Sequence, residues 1–186
     1  MIMLSKENRY YPLITTLVGA LSFLAVAIVI GALSLLVGFD LSVLPLFVAG
    51  IVGPLVMFWI LGKRERLLLN VIISSATLIF SFLLAFMLGY LVAAIVPGGT
   101  DNPAVNVVAI LMMIVIYGTV MGVMQNGNDA AIFFLTRAAI IGIVLGLGII
   151  VIGDIKILGL DLNYLYILTS FGITLGLLTG LYDKKK

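Results

Sequence analysis

The chain contains no cysteine and no histidine. Without thiols it forms no disulfide, and without either side chain it lacks the ligands that most often hold haem or structural zinc. Histidine is also the side chain used most often for proton transfer near neutral pH. The two absences exclude most redox, metal and acid–base sites, and we expect neither a cofactor nor a metal.

Charged residues are also scarce, at 10% of the 186 residues, whereas 63% of the residues are hydrophobic. A soluble domain is closer to one-quarter charged and one-half apolar, so a mean hydropathy of +1.35 requires lipid as the solvent. The net charge of +2 is not typical of a nucleic-acid-binding protein, because the bases stand in short clusters beside apolar runs. We therefore predict an integral membrane protein that contacts the lipid bilayer and no nucleic acid.

Long apolar stretches separated by polar turns predict an all-α bundle of six transmembrane helices. A helical span needs roughly 20 apolar residues. The expected helices are residues 12–37, 43–62, 67–96, 104–125, 130–153 and 163–181, within a single transmembrane domain that covers residues 1–186.

Arg137 complicates the fifth helix, because only residues 138–153 separate it from the next turn. The residues before Arg137 must also enter the membrane, which draws the guanidinium inward. It then snorkels to the headgroups or pairs with an acid on its own side. The candidate acids are Glu65, Asp129 and Asp183.

The distribution of Lys and Arg predicts the orientation of the bundle. With six spans, nine of the ten basic residues fall on the side of the two termini, and Lys156 alone falls on the other side. Short loops rich in Lys and Arg stay in the cytoplasm. We therefore expect a multi-pass protein of the cell membrane with its N- and C-termini cytoplasmic.

The third predicted helix carries a row of polar and small side chains at every third or fourth position. The row consists of Asn70, Ser74, Thr77, Ser81, Ala85, Gly89 and Ala93. This spacing places them on one helix face. Small residues and hydroxyls let helices approach and hydrogen-bond in lipid. We expect the face to point inward, either as a packing seam or as the wall of a ligand cavity.

Proline and asparagine mark the expected irregularities. Pro54 should kink the second helix unless a neighbour satisfies the carbonyl that its missing N–H leaves free. Asn102-Pro103-Ala104 matches the signature tripeptide of the aquaporins, but it occurs once, beside a loop rich in Gly and Pro, and we interpret it as a loop leading into the fourth helix. Ser42 is expected to cap the second helix, and Asn128 or Asp129 the fifth.

Catalysis is not expected, because no acid, histidine or cysteine lies within the predicted spans. Hydrolysis and group transfer need nucleophiles with bases, carboxylate pairs or metal ligands. Ion-coupled carriers usually keep an acid or base near mid-membrane, so coupling through a buried carboxylate is disfavoured as well.

Two functions remain, and the first is our expectation. It is a non-catalytic subunit of a larger membrane complex, which docks the helices of other membrane subunits through its small-residue faces. The alternative is a substrate-capturing membrane component of a transporter, which binds a small apolar or amphipathic ligand between helices 2, 3, 4 and 6. Its cavity would be lined by Ser74, Ser81 and Tyr117. In length, helix number and cytoplasmic termini the chain is similar to the substrate-binding components of energy-coupling-factor vitamin transporters.

Overall fold

The computed structural model describes residues 8–37, 44–63, 67–152, 155–157 and 160–185. These ranges contain six α-helices: α1 (Tyr11–Val37), α2 (Leu44–Ile60), α3 (Leu67–Ala93), α4 (Pro103–Asn126), α5 (Ala131–Ile152) and α6 (Leu162–Lys185). Just before α6, the two-residue strands β1 (Lys156–Ile157) and β2 (Leu160–Asp161) pair antiparallel, with Lys156 opposite Asp161. The predicted all-α membrane bundle is confirmed at this level.

Five of these helices are long and apolar enough to cross a membrane, and α2 is shorter. At about 1.5 Å per residue, the 17 residues of α2 extend roughly 26 Å. Large apolar side chains are exposed along α1, α2, α3 and α5, as expected for surfaces in contact with lipid. Among the five long helices α6 is the most buried, because it packs against α1, α2, α4 and α5.

Helices that are adjacent in the sequence pack side by side, and α6 returns to pack against α1. The backbones of α1 and α6 touch where Gly172 faces Gly19 and where Gly176 faces the carbonyl group of Thr15. A Cβ atom at Gly176 would overlap with that carbonyl group. The small residues of α6 therefore serve close helix packing within this chain.

A second close seam joins α4 and α5. Gly142 and Gly146 of α5 face the backbone and side chains of Leu111 and Val107 in α4. Near the other end of the same seam, Gly122 of α4 faces the ring of Phe134. Small residues of α4, α5 and α6 thus lie against neighbouring helices of the same molecule.

The polar face of α3 also points inward, as predicted. Its central members are buried, namely Ser74, Thr77, Ser81, Ala85 and Gly89. Gly89 lies against Val105 and Ala109 of α4, which shows that the face packs on that helix. Asn70 and Ala93, at the two ends of the row, are half-buried.

Pro54 lies inside α2, where its missing N–H leaves the carbonyl group of Gly50 without its helical donor. Ser75 of α3 supplies one. Its Oγ lies 3.0 Å from Gly50 O and 2.8 Å from Val71 O of its own helix, so its single proton is shared between the two carbonyls. The neighbour that the sequence required is therefore on α3.

The connections differ from the predicted ends at a few residues. α3 ends at Ala93 rather than Val96, because the chain turns ahead of Pro97 and Gly98, where Gly98 has a φ of 90°. Asn102 caps α4: its Oδ1 accepts a hydrogen bond from the N–H of Ala104 at 2.9 Å. The Asn-Pro-Ala tripeptide is thus a loop entering a helix, as predicted.

The predicted cap of α5 is not observed as expected, and the predicted cap of α2 cannot be compared with the structure. Asn128 and Asp129 lie inside a 3-10 turn that starts after Gly127, rather than capping α5 directly. Gly127 has a φ of 88°, a left-handed conformation that glycine adopts readily, and the chain bends there. Ser42 lies outside the described residues.

Candidate functional site

Two of the three predicted ligand-binding residues meet in the centre of the bundle. Ser74 Oγ of α3 and Tyr117 OH of α4 are 2.7 Å apart, and both residues are fully buried. The Tyr117 ring packs edge-on against Phe171 of α6, with the ring centroids 5.0 Å apart. One hydroxyl group donates a hydrogen bond to the other, and the contacts of Tyr117 join three helices.

Ser81 is not part of this contact. Its Oγ donates a hydrogen bond to the carbonyl oxygen of Leu78, 2.9 Å away in its own helix. Such a local bond is typical of a serine on a packing face. Neither Ser81 nor Ser74 nor Tyr117 lines any of the three cavities described below, and their role as ligand-binding residues stays a prediction.

A cavity of about 460 Å³ lies at one end of the bundle, between the end of α2, the start of α3 and the end of α4. Small-molecule sites typically have volumes of about 300–1,000 Å³. Its lining consists of Phe58, Gly62, Lys63, Leu69, Asn70, Met124, Gln125 and Asn126. We call this the inner cavity. Its wall is apolar at Phe58, Leu69 and Met124 and polar at Lys63, Asn70, Gln125 and Asn126.

Three carboxamides and one ammonium group form the polar part of the inner cavity. Asn70, Gln125 and Asn126 contribute carboxamides and Lys63 an ammonium group, while no carboxylate lines the cavity among the described residues. Gln125 Nε2 is buried and has no hydrogen-bond partner in the described part of the chain. Leaving such a donor unpaired costs about 1–3 kcal/mol. A water or a ligand with acceptor atoms would remove that cost.

Lys63 connects the inner cavity to α1 and α6. Its Nζ lies 2.5 Å from Asp183 Oδ2 in the last turns of α6. Tyr11 OH, at the start of α1, donates a hydrogen bond to the same oxygen at 3.0 Å. The side chains are partly shielded from solvent, with 30% of Lys63 and 11% of Asp183 exposed. These contacts hold the start of α1 and the ends of α2 and α6 together.

Arg137 makes a separate contact, with an aromatic ring. Asp183, one of the three acids expected near it, bonds to Lys63 instead. The Arg137 guanidinium lies over the ring of Phe133, with its central carbon 3.8 Å from the ring centroid, in a cation–π contact. Asp129 is exposed, and Glu65 lies outside the described residues.

Two smaller cavities lie at the opposite end of the bundle, with volumes of about 210 and 160 Å³. The first lies between α3 and α4, and the second between α4, α5 and α6. Both are lined by Asn106 and Ala109, and neither has a charged lining residue among the described ones. The inner cavity is therefore the stronger candidate for a functional site.

Sequence reasoning did not assign ligand binding to any residue of the inner cavity. Lys63 entered only through the count of basic residues, Asn70 only as part of the α3 row, and Gln125 only as the end of the predicted fourth helix. The sequence signal that could have identified the cavity is that these residues lie at helix ends on the same side of the predicted bundle. In a six-helix topology, the end of α2, the start of α3 and the end of α4 meet on one side, and each carries an amide or a cation there.

Comparison with protein-family models, with curated proteins and with solved structures finds no match to this chain. Its function is therefore argued from the geometry of the site.

Proposed function

We propose that this chain is a non-catalytic membrane protein that captures a small amphipathic molecule in the inner cavity. The observation that carries the proposal is the two-sided lining of this cavity. Phe58, Leu69 and Met124 can contact an apolar body, whereas Lys63 and the carboxamides can bind a polar head. This is the capture function that the sequence predicted as the alternative. Its binding site, however, is placed at the end of the bundle and not at Ser74, Ser81 and Tyr117.

We also propose six crossings of the cell membrane, with the inner cavity on the cytoplasmic side. The contacts of Asp183 with Lys63 and Tyr11 support this topology, because an even number of crossings brings the start of α1 and the end of α6 to the same side. The rough 26 Å extent of α2 is close to the hydrocarbon thickness of about 30 Å. The concentration of Lys and Arg supports a cytoplasmic position for this end.

Assembly with other membrane subunits, our first expectation, stays a prediction. The rows of small residues on α3, α4, α5 and α6 are packed inside this chain, as at Gly89, Gly122, Gly142 and Gly176. A partner would therefore dock on another surface.

Native mass spectrometry of the protein, extracted in mild detergent from its own host, tests the capture function. We expect the wild-type chain to retain a small molecule in a reproducible ratio. The Asn70→Phe variant should lose it, because the larger apolar side chain occupies the inner cavity. Asn106→Phe introduces the same side chain at the opposite end of the bundle and should retain the molecule.

Equal retention by the two variants would place the molecule elsewhere and contradict the proposal. A wild-type chain that carries no small molecule but co-purifies with other subunits in a fixed ratio would favour the complex-subunit function instead. Thermal unfolding, monitored by the fluorescence of Trp59, the chain's single tryptophan, checks that both variants are folded.

A further inference from the structure

We infer that the inner cavity binds its ligand through an anionic group, which contacts Lys63 in competition with Asp183. The inference rests on the proposed capture function and adds the charge of the ligand. It follows from the double position of Lys63, which lines the cavity and at the same time pairs with a carboxylate that is not part of the lining.

The ammonium group of Lys63 has donors to spare. It carries three N–H bonds, and Asp183 Oδ2 occupies one direction around Nζ. Lys63 is also the one charged side chain among the described lining residues. An oxyanion in the cavity would therefore meet a cation and no lining carboxylate, and a charge-assisted hydrogen bond to it is roughly twice as strong as a neutral one.

The carboxamides complete the binding groups for such an anion. Gln125 Nε2 is buried without a partner in the described part of the chain, and Asn70 lines the same cavity. A phosphate or carboxylate presents several acceptor atoms, which can engage an ammonium and an amide N–H together.

Asp183 should oppose the ligand. Its carboxylate shares Lys63 with any anion in the cavity, and two negative charges around one ammonium repel each other. Removal of the carboxylate should strengthen anion binding, whereas removal of the ammonium should weaken it. If the ion pair had a purely structural role, both substitutions would lower the stability of the protein. They would not shift the anion affinity in opposite directions.

The anionic group can come from a soluble molecule or from a phospholipid headgroup, because the cavity lies at the helix ends where headgroups are found. Two measurements separate these sources. Equilibrium dialysis with inorganic phosphate, on protein in phosphatidylcholine nanodiscs, detects a free anion. Native mass spectrometry after reconstitution in mixed phosphatidylcholine and phosphatidylglycerol counts the retained anionic lipids.

Three variants are compared with the wild type in both measurements: Lys63→Gln, Asp183→Asn and Lys156→Gln. The last is the matched control, because it removes the same charge from the ribbon before α6, at the opposite end of the bundle. We expect Lys63→Gln to weaken binding about tenfold or more and Asp183→Asn to strengthen it about three- to tenfold, which corresponds to roughly 0.7–1.4 kcal/mol. The control should bind as the wild type does.

This order of affinities in the phosphate measurement supports a free anion, and the same order in the lipid measurement supports a headgroup. Absence of binding in both measurements, or a change in the same direction for Lys63→Gln and Asp183→Asn, overturns the inference. The higher anion affinity expected for Asp183→Asn cannot arise from unfolding of the variant. Asn70→Phe could release a native ligand while the anion affinities of the Lys63 and Asp183 variants do not follow the expected order. In that case the capture function is supported and the anionic nature of the ligand is rejected.

Discussion

The hydrogen bond between Ser74 and Tyr117 is a polar contact between two fully buried residues in a bundle whose interior is mostly apolar. Each hydroxyl group would be costly alone, because the hydrocarbon core of a membrane offers no water to replace its partner. Together they fix the relative positions of α3 and α4, and the edge-on contact with Phe171 extends this to α6. We interpret the pair as a structural contact.

A double-mutant cycle with Ser74→Ala and Tyr117→Phe measures this contact. Side-chain hydrogen bonds between helices in lipid contribute about 0.6 kcal/mol on average and up to about 1.7 kcal/mol. We expect a coupling free energy in that range, with the ring packing on Phe171 retained in the phenylalanine variant. Reversible unfolding in mixed micelles provides the measurement.

The matched cycle pairs Ser81→Ala with Tyr117→Phe. Since Ser81 bonds to Leu78 in its own helix, the two changes should be additive within about 0.5 kcal/mol. A coupling as large as that of Ser74 would contradict the structural distinction between the two serines.

At the level of single residues, the sequence predicted which α3 side chains turn inward but not what they bond to. Periodicity places Ser74 and Ser81 on the same face, yet one bonds across to α4 and the other back to α3. The difference depends on the register between α3 and α4, which a local pattern does not contain. For the same reason Ser75, one position off the row, was missed as the partner of Gly50.

At the scale of a helix, α2 depends on a donor from its neighbour. The carbonyl group of Gly50 loses its helical partner at Pro54, and Ser75 of α3 provides one from outside. The close approach of the two helices at Gly50, which faces the Cα atom of Ser75, makes this bond geometrically possible. The stability of α2 is thereby coupled to its contact with α3.

Replacing Pro54 should make Ser75 dispensable. In the wild type, Ser75→Ala should lower the free energy of unfolding by about 1 kcal/mol, because the carbonyl group of Gly50 loses its donor. In a Pro54→Ala background the restored N–H bonds to that carbonyl group, and Ser75→Ala should then cost little. Unfolding of the four proteins in mixed micelles gives the comparison.

Ser22→Ala serves as the control, since Ser22 Oγ bonds to Val18 O in its own helix. Its cost should be the same with Pro54 or Ala at position 54. If Ser75→Ala costs as much in the Pro54→Ala background as in the wild type, the hydroxyl of Ser75 does not act on Gly50.

Helix positions were accessible from the sequence because apolar length and turn residues are local signals. α4 begins at Pro103 behind the Asn102 cap, one residue before the predicted start. α6 continues to Lys185 instead of ending at Leu181, and the contacts of Asp183 with Lys63 and Tyr11 lie in this added turn. Those contacts involve residues far apart in the chain, so no local pattern predicts them.

At the scale of the whole molecule, the inner cavity is an outcome of topology. Three helix ends that carry Lys63, Asn70 and Gln125 converge on one side of the bundle, although these residues are separated by up to about 60 positions in the sequence. Composition predicted a membrane protein, and charge distribution predicted an orientation. The cavity required knowledge of which helix ends meet and how closely they pack.

Labelling of introduced cysteines tests the orientation, and the wild-type chain provides a clean background because it has no cysteine. Thr100 and Asn128 are both exposed, in the connections that follow α3 and α4. In intact cells, a membrane-impermeant maleimide should react with Thr100→Cys and not with Asn128→Cys. The latter should react once the membrane is permeabilised. The opposite pattern would invert the proposed topology and place the inner cavity outside.

The seam between α1 and α6 also has a consequence for biogenesis. Gly19 is synthesised about 150 residues before Gly172, which at about 5–20 residues per second is an interval of roughly 8–30 s. Throughout that time the groove of α1 around Thr15 and Gly19 has no α6 to cover it. The nascent chain must therefore keep α1 in place through α2, through lipid or through the insertion machinery, and the bundle reaches its final packing when α6 enters the membrane.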